Sequence, residues 1–545
     1  MECVGVFVKL QLWYWAAIYL VKLHILLFLV PLGRFCKPTL SISHRHLSVV
    51  YTFHSAFKRT IAFFQMTAVS NSVLLRGGRV LVFDSEKKAT FGVLDVLVEG
   101  TLISKVGHDI PARPETKIID ASGKIVCPGF VDTHRHLWQS HLRTSVANQT
   151  LLEYCGHFLF GRALFYKPHD VYLAQLGAAA EAIHCGVTTV LDHSHIQLSE
   201  EHIQQCIRAS IDSGLRSIYC FAPYNFPESI NPLRFSDKPN ELHQRQLDQF
   251  YKLSEQVPLG NSQNDGRVTL GLGYDGIEYR PVEDTKKLLE FAHDRGLPIT
   301  FHDCHRHGMS AMKFLRENNL LSDTMVLSHF TFPLEEDFEA AKRHGVGISS
   351  TPESEMQMGH GWPEAFPAMR HGCKTGLGVD SSAICSGDLF SAMRICLQMQ
   401  RARDNHELAC RNKIPRQLQA TVDQVLYMAT LGGAEAIHRE SEIGSIAVGK
   451  RADIILISTD SPCMVAAGDP AAALVLHASP SDVEHVIING EVVKENGKLL
   501  RVDWSTLKHD LRENMKELEE SYKSADWSRN TDEMVDAWNM TDKLE

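Results

Sequence analysis

Two imidazoles separated by a single residue open the functional reading of this chain. In VCPGFVDTHRHLWQS, residues 126–140, His134 and His136 flank Arg135. Side chains alternate faces along a β-strand, so both imidazoles project the same way and can reach one ion. A lone His-x-His pair is commonly structural, and this one gains meaning only from partners elsewhere. Such partners recur where short apolar runs end. They are Asp192, His193 and His195 after TTVL, Tyr274 and Asp275 after VTLGLG, His302 in PITFH, His329 in MVLSH, and Asp380 in TGLGVD. Neutral imidazoles with a carboxylate are the ligand set of zinc, or of non-haem iron. A divalent ion with an open position lowers the pKa of a water it binds, which suits hydrolysis.

Only a fold that gathers strand ends can make these residues neighbours. Between residues 126 and 380, apolar strands of four to seven residues alternate with helical patterns such as HDVYLAQLGAAAEAIHCG, giving eight strand–helix repeats. That alternation predicts a (β/α)8 barrel, whose active site lies at the C-terminal ends of its strands. A doubly wound open sheet is the competing α/β fold, but no Gly-x-Gly-x-x-Gly run follows the first strand. Strand-like text with alternating apolar residues precedes the barrel (VLLRGGRVLVFD, VLDVLVEG) and returns after it (RADIILIS, VEHVIINGEVV). The expected organisation is a composite β-sandwich built from residues 66–127 and 441–500, a barrel over 128–440, and a charged helical tail over 501–545, packed or facing a second subunit.

Composition narrows the partners. A net charge of −10 leaves no basic surplus to displace counterions from nucleic acid. Thirteen cysteines without a C-x-x-C pair read as reduced thiols, which points to a cytoplasmic protein. Residues 1–65 differ from the rest. GVFVKLQLWYWAAIYLVKLHILLFLVPLG, residues 5–33, is apolar enough for a membrane anchor, although Lys9, Lys22 and His24 interrupt it. Met66 stands where a soluble protein would begin, so the extension is read as absent from the mature protein, as a cleaved targeting peptide, or as the one route to a membrane.

The motifs CPGFVDTHRHLW, GVTTVLD, ITFH, LSH, GLGVDSS, IGSIAVGKRADIILI and VIINGEVV, in that order, resemble the amidohydrolase superfamily. The nearest branch is that of triazine hydrolases and of S-adenosylhomocysteine, guanine and cytosine deaminases. The resemblance spans roughly residues 70–500 and implies a metal-centred barrel beside a small β-sandwich, in a homo-oligomer acting on a small-molecule substrate. Position by position it makes His134, His136, His302 and Asp380 the metal ligands, and His329 the residue that orients water or polarises substrate. Two-metal relatives bridge their ions through a strand-4 lysine. VTLGLGYDG has none, so one ion is expected, zinc with iron as the alternative.

One position departs from the pattern. Many deaminases of this branch carry a glutamate three residues past the strand-5 histidine, and here HDCHRHG places His305 there. His305 or Glu355, in TPESEMQMGHGWP beside Glu353, is expected to replace it as the acid for the leaving group. The Met-containing EMQMGHG run itself reads as packing. Trp138, Gln139 and His195 are expected to contact substrate, with Trp138 stacking on a planar ring. The expected reaction is metal-assisted hydrolysis of a non-peptide carbon–nitrogen bond, by deamination of an N-heterocycle or opening of a cyclic amide. Asp380 would take the first proton. Decarboxylation, dechlorination and a metal-binding scaffold without turnover are the competing functions.

Overall fold

Alternating apolar residues set up the first strands: β1 (Ser72–Phe83), β2 (Ala89–Glu99), β3 (Leu102–Gly107), β4 (Lys117–Asp120) and β5 (Lys124–Pro128). The computed structural model describes residues 72–230, 233–235, 241–277, 280–305, 310–527 and 529–537. The extension over 1–65, with the apolar stretch 5–33, lies outside the described residues. Among the described residues no helix is long and apolar enough to cross a membrane.

The chain then enters the barrel through β6 (Phe130–Arg135), β7 (Val187–Ser194) and β8 (Arg216–Phe221). A short antiparallel pair, β9 (Ser229–Ile230) and β10 (Leu233–Arg234), lies in the connection after β8. The barrel resumes with β11 (Val268–Gly273), β12 (Ile299–Cys304), β13 (Met325–Thr331), β14 (Gly347–Ser350) and β15 (Lys374–Leu377). Neighbouring barrel strands pair in parallel, in the order β6-β7-β8-β11-β12-β13-β14-β15. VCPGFVD, read as one strand, divides at Gly129: Cys127 and Pro128 finish β5 and Phe130 begins β6. The junction needs glycine, since a Cβ at residue 129 would collide with the Thr188 side chain.

The barrel closes where β6 meets the segment after β15. The Asp380 amide donates to the His134 carbonyl (2.9 Å) and the His136 amide to the Asp380 carbonyl (2.7 Å). Such close approach needs glycine at 378, where a Cβ would sit 2.8 Å from the His134 carbonyl oxygen. Helices cover the barrel's outside by ordinary amphipathic logic. The helix Glu200–Ser213 is capped by Ser199, whose hydroxyl accepts from the His202 amide, and it buries Ile203, Cys206, Ile207 and Ile211 at helical spacing.

After the barrel come β16 (Ile454–Ser458), β17 (Val483–Ile488), β18 (Glu491–Glu495) and β19 (Lys498–Leu499). β16 pairs antiparallel with β5, so both ends of the described chain join one nine-stranded sheet ordered β19-β18-β17-β16-β5-β1-β2-β3, with β4 against β1. Leu75, Val96, Ile103, Val126, Ile454 and Ile487 share its apolar core. The tail is packed: Leu518 and Met534 are buried, and Asn530 Nδ2 donates to the Gly156 carbonyl (3.0 Å).

One buried ion pair ties barrel to sheet. Arg216 of β8 donates through Nε (2.7 Å) and Nη2 (2.9 Å) to the Asp453 carboxylate, which also accepts from the Asn489 amide (2.7 Å). Removing one partner strands the other charge in a dry site, so Arg216→Met should cost about 3–5 kcal/mol by chemical denaturation. The double variant Arg216→Met/Asp453→Leu should recover much of that loss.

Candidate metal centre and active site

Strand ends deliver the candidate ligands, and hydrogen bonds behind them fix which atoms face inward. His136 Nδ1 lies 2.6 Å from the His193 carbonyl, an acceptor only, so this nitrogen carries the hydrogen and Nε2 keeps its lone pair. His302 Nδ1 lies 3.0 Å from Asp275 Oδ2 and so also carries a hydrogen; burial opposes a charge on this ring, but the Asp275 carboxylate outweighs it and raises its pKa. The Nε2 atoms of the two rings then stand 3.2 Å apart, close enough to share a proton or to be bridged by a metal ion. His134 Nε2 is buried with no hydrogen-bond partner, 3.6 Å from Asp380 Oδ1, while His136 Nε2 is 3.3 Å from that oxygen. The ligating atoms of His134, His136 and Asp380 all lie within 4.8 Å of one another, as do those of His134, His302 and His329. This donor set fits a divalent metal ion on the structure's own terms.

Asp275, just past the end of β11, holds this arrangement from behind. Besides His302 it accepts from His193 Nε2 (2.9 Å), and its Oδ1 takes the His302 amide (3.0 Å). Burial works against its charge, but the imidazoles of His302 and His193 outweigh that and hold the carboxyl well below the ordinary range. The sequence placed Asp275 at a strand end without giving it this role. His193, also set behind the ligands, is buried completely.

Backbone strain concentrates at two of the same residues. His329 (φ 72°) and Asp380 (φ 70°) adopt left-handed conformations that non-glycine residues seldom take. Burial pushes His329 down to about 3, so its ring is neutral. Its Nδ1 is 2.8 Å from Thr351 Oγ1, which donates in turn to Glu355 Oε1 (3.3 Å).

The ligand cluster opens on a cavity of about 50 Å³. His136, His195, His302, His329 and Asp380 line it, with Tyr154, Tyr224, Met358 and His360 among the other walls. The remaining expected site residues fall elsewhere. Trp138 and Gln139 are fully buried behind the wall: Trp138 Nε1 donates to His195 Nδ1 (3.1 Å), and Gln139 Nε2 donates to the Tyr154 hydroxyl (2.7 Å). The turn Leu137–Leu142 carries both side chains away from the strand's inward face, which corrects the reading of Trp138 as a stacking platform. Glu355 is equally buried and reaches the cavity only through Thr351 and His329. Burial pushes its carboxyl up to about 8, against hydrogen bonds from Thr351 and Ser350. His305 does not line the cavity, and its Nδ1 donates to the Phe332 carbonyl (3.0 Å). His360 does line it, although the run that carries it reads in sequence as packing.

A closed parallel barrel with imidazoles and a carboxylate converging at its strand ends defines a metal-dependent hydrolase. The chain belongs to the amidohydrolase family, whose profile ("Amidohydrolase family") matches residues 125–493. It is therefore a metal-dependent hydrolase of non-peptide carbon–nitrogen bonds. It is 28% identical over 412 residues to a 5-methylthioadenosine/S-adenosylhomocysteine deaminase of Acetivibrio thermocellus, covering 73% of this chain and 87% of that one. To a 5'-deoxyadenosine deaminase of Methanobrevibacter smithii it is 26% identical over 444 residues, covering 78% and 94%. Its fold resembles that of atrazine chlorohydrolase from Arthrobacter aurescens TC1 complexed with zinc, at a TM-score of 0.71 and 24% identity over 81% of this chain and 100% of the other.

The carboxylate behind His302 provides a direct check. Asp275→Asn keeps the size but loses the charge, and should weaken metal affinity about 10–100-fold, measured by competition with a chromophoric chelator. The fold, followed by circular dichroism, should be unchanged.

Proposed function

We propose that this protein removes an amino group from an N-heteroaromatic ring, with adenine-type nucleosides as the first class to test, using a single zinc ion. The observation that carries the reading is the convergence of His136 Nε2 and His302 Nε2 beside His134 Nε2 and Asp380. His134, His136, His302 and Asp380 would hold the ion, which supplies a water of lowered pKa. A single ion accords with the lack of a lysine at the end of β11, where Asp275 instead holds His193 and His302. The deaminase names of the two sequence relatives support the substrate class.

The chain's own groups supply the proton traffic. Thr351 donates to Glu355, so its oxygen accepts from His329 Nδ1–H and leaves His329 Nε2 as an acceptor. His329 then holds a hydrogen of the attacking water and turns the oxygen lone pair toward the ring carbon. Asp380, the only carboxylate on the cavity wall among the described residues, takes the other proton. When the carbon–nitrogen bond breaks, its electron pair stays on nitrogen, and the proton held by Asp380 completes ammonia. Water enters, ammonia leaves and the ring keeps oxygen. In this scheme Glu355 is a positioning residue acting through Thr351 on His329, and His305 takes no part in proton transfer.

A cavity of about 50 Å³ holds a water or two, whereas sites for small organic ligands run to about 300 Å³ or more. Substrate entry therefore displaces part of the wall, to which Leu151, Tyr154, Cys155 and Leu159 contribute.

Elemental analysis of the full chain should find about one zinc, retained in His329→Ala and lost in His302→Ala and Asp380→Ala. Ammonia release from a panel of aminopurine nucleosides, aminotriazines and cyclic amides should single out the aromatic amines. His329→Ala should lower that rate about 10²–10⁴-fold. Two ions per chain would bring in His193 and Asp275 as ligands, and hydrolysis of the cyclic amides without ammonia release from the others would make ring opening the reaction.

A further inference from the structure

We infer that Trp138 and Gln139 set the hydrogen-bonding polarity of the cavity from behind its wall, so that His195 and Tyr154 present donors and the substrate bound there is rich in acceptors. This deepens, and rests on, the proposed deamination: it selects an aromatic ring with unprotonated nitrogens over a cyclic amide that offers N–H.

The first half of the device is unambiguous in direction. An indole Nε1 can only donate, so His195 Nδ1, 3.1 Å away, is an acceptor and bears no hydrogen. In the neutral ring the hydrogen is therefore on Nε2. His195 forms part of the cavity wall, with its ring stacked on His136 at 4.4 Å between centroids. With Nδ1 engaged by the layer behind, Nε2–H is the polar group the ring has left for a ligand.

The second half is a relay that starts at a main-chain donor. The Ala383 amide donates to Ser381 Oγ (3.1 Å), and the Ser381 hydroxyl donates to Gln139 Oε1 (2.6 Å). With its oxygen on Ser381, the Gln139 amide turns Nε2 to the Tyr154 hydroxyl, to which it donates (2.7 Å). The Tyr154 oxygen is thus used as an acceptor, and its hydrogen is left over on a residue that lines the cavity. Burial keeps the phenol protonated.

Trp138 and Gln139 are consecutive residues of the turn Leu137–Leu142, so one local conformation sets both polarities. A site built to donate leaves its donors unpaired when the ligand offers N–H or C–H instead, and it discriminates against such ligands. The residues expected to touch the substrate therefore act on it through their neighbours.

The test needs no variant to begin. On the full, metal-loaded chain, kcat/KM for ammonia release from adenosine is compared with that for its 1-, 3- and 7-deaza analogues, in each of which C–H replaces one ring nitrogen. Inhibition constants serve for analogues that are not turned over. At least one analogue should lose about 10–100-fold on the wild type. That loss should shrink below threefold in Trp138→Phe, which keeps a ring without the donor, or in Tyr154→Phe, with metal content unchanged. A merely structural role would lower the rate for adenosine and its analogues alike. Deaza analogues equal to adenosine on the wild type, or a deaza penalty undiminished in both variants, would overturn the inference while leaving deamination intact. A wild type that holds its metal yet opens cyclic amides in preference to releasing ammonia would overturn both.

Discussion

Everything in the centre depends on ring nitrogens being forced to converge. His136 and His302 each give their Nδ1 hydrogen to an acceptor behind them, and this turns their two Nε2 atoms toward each other, 3.2 Å apart. That geometry needs a proton or a metal ion between the two nitrogens. It persists because the groups behind it belong to barrel strands and their immediate ends: the His193 carbonyl on β7 and Asp275 after β11. The barrel acts as a frame that holds the candidate ligands in place.

The closing seam bears the same stress. Asp380 and His329 are held in left-handed backbone conformations, at about 1–3 kcal/mol each. Both sit where hydrogen bonds leave little freedom, Asp380 through its amide and carbonyl to His134 and His136, His329 through Thr351. Placing the candidate proton carrier at the seam links closure of the fold to completion of the site. The buried Arg216–Asp453 pair extends the coupling to the composite sheet, whose β5 leads directly into β6 and the first two histidines.

A layer of uncharged donors lies between the ligands and the core. It decides how the cavity greets a ligand, because each hydroxyl, amide or imidazole committed behind the wall leaves a defined group in front. Polarity of this kind is cheap to maintain in a buried site, where every donor must find an acceptor in any case. Small changes in the turn after β6 are therefore a means of changing specificity without touching the ligands.

Much of this was legible in the sequence. The period-two alternation of strands, the eight apolar runs and the polar residues at their ends place His134, His136, His302, His329 and Asp380 at one barrel mouth, since a closed parallel barrel has only one such face. The family resemblance added roles to these positions. Periodicity stops at the last residue of a strand, however, and the residues beyond it are turned by local dihedrals and long-range packing. That is why Trp138 and Gln139, adjacent in sequence to the ligands, point behind the wall, and why Asp275 proves to be the support of His302. The need for glycine at 129, between β5 and β6, comes from Thr188, nearly sixty residues away. The sequence by itself determined which residues could bind a metal and at which strand ends they lie. Only the tertiary structure decided which nitrogen of each ring faces the centre, because a tautomer is set by its hydrogen-bond partner and those partners come from other strands.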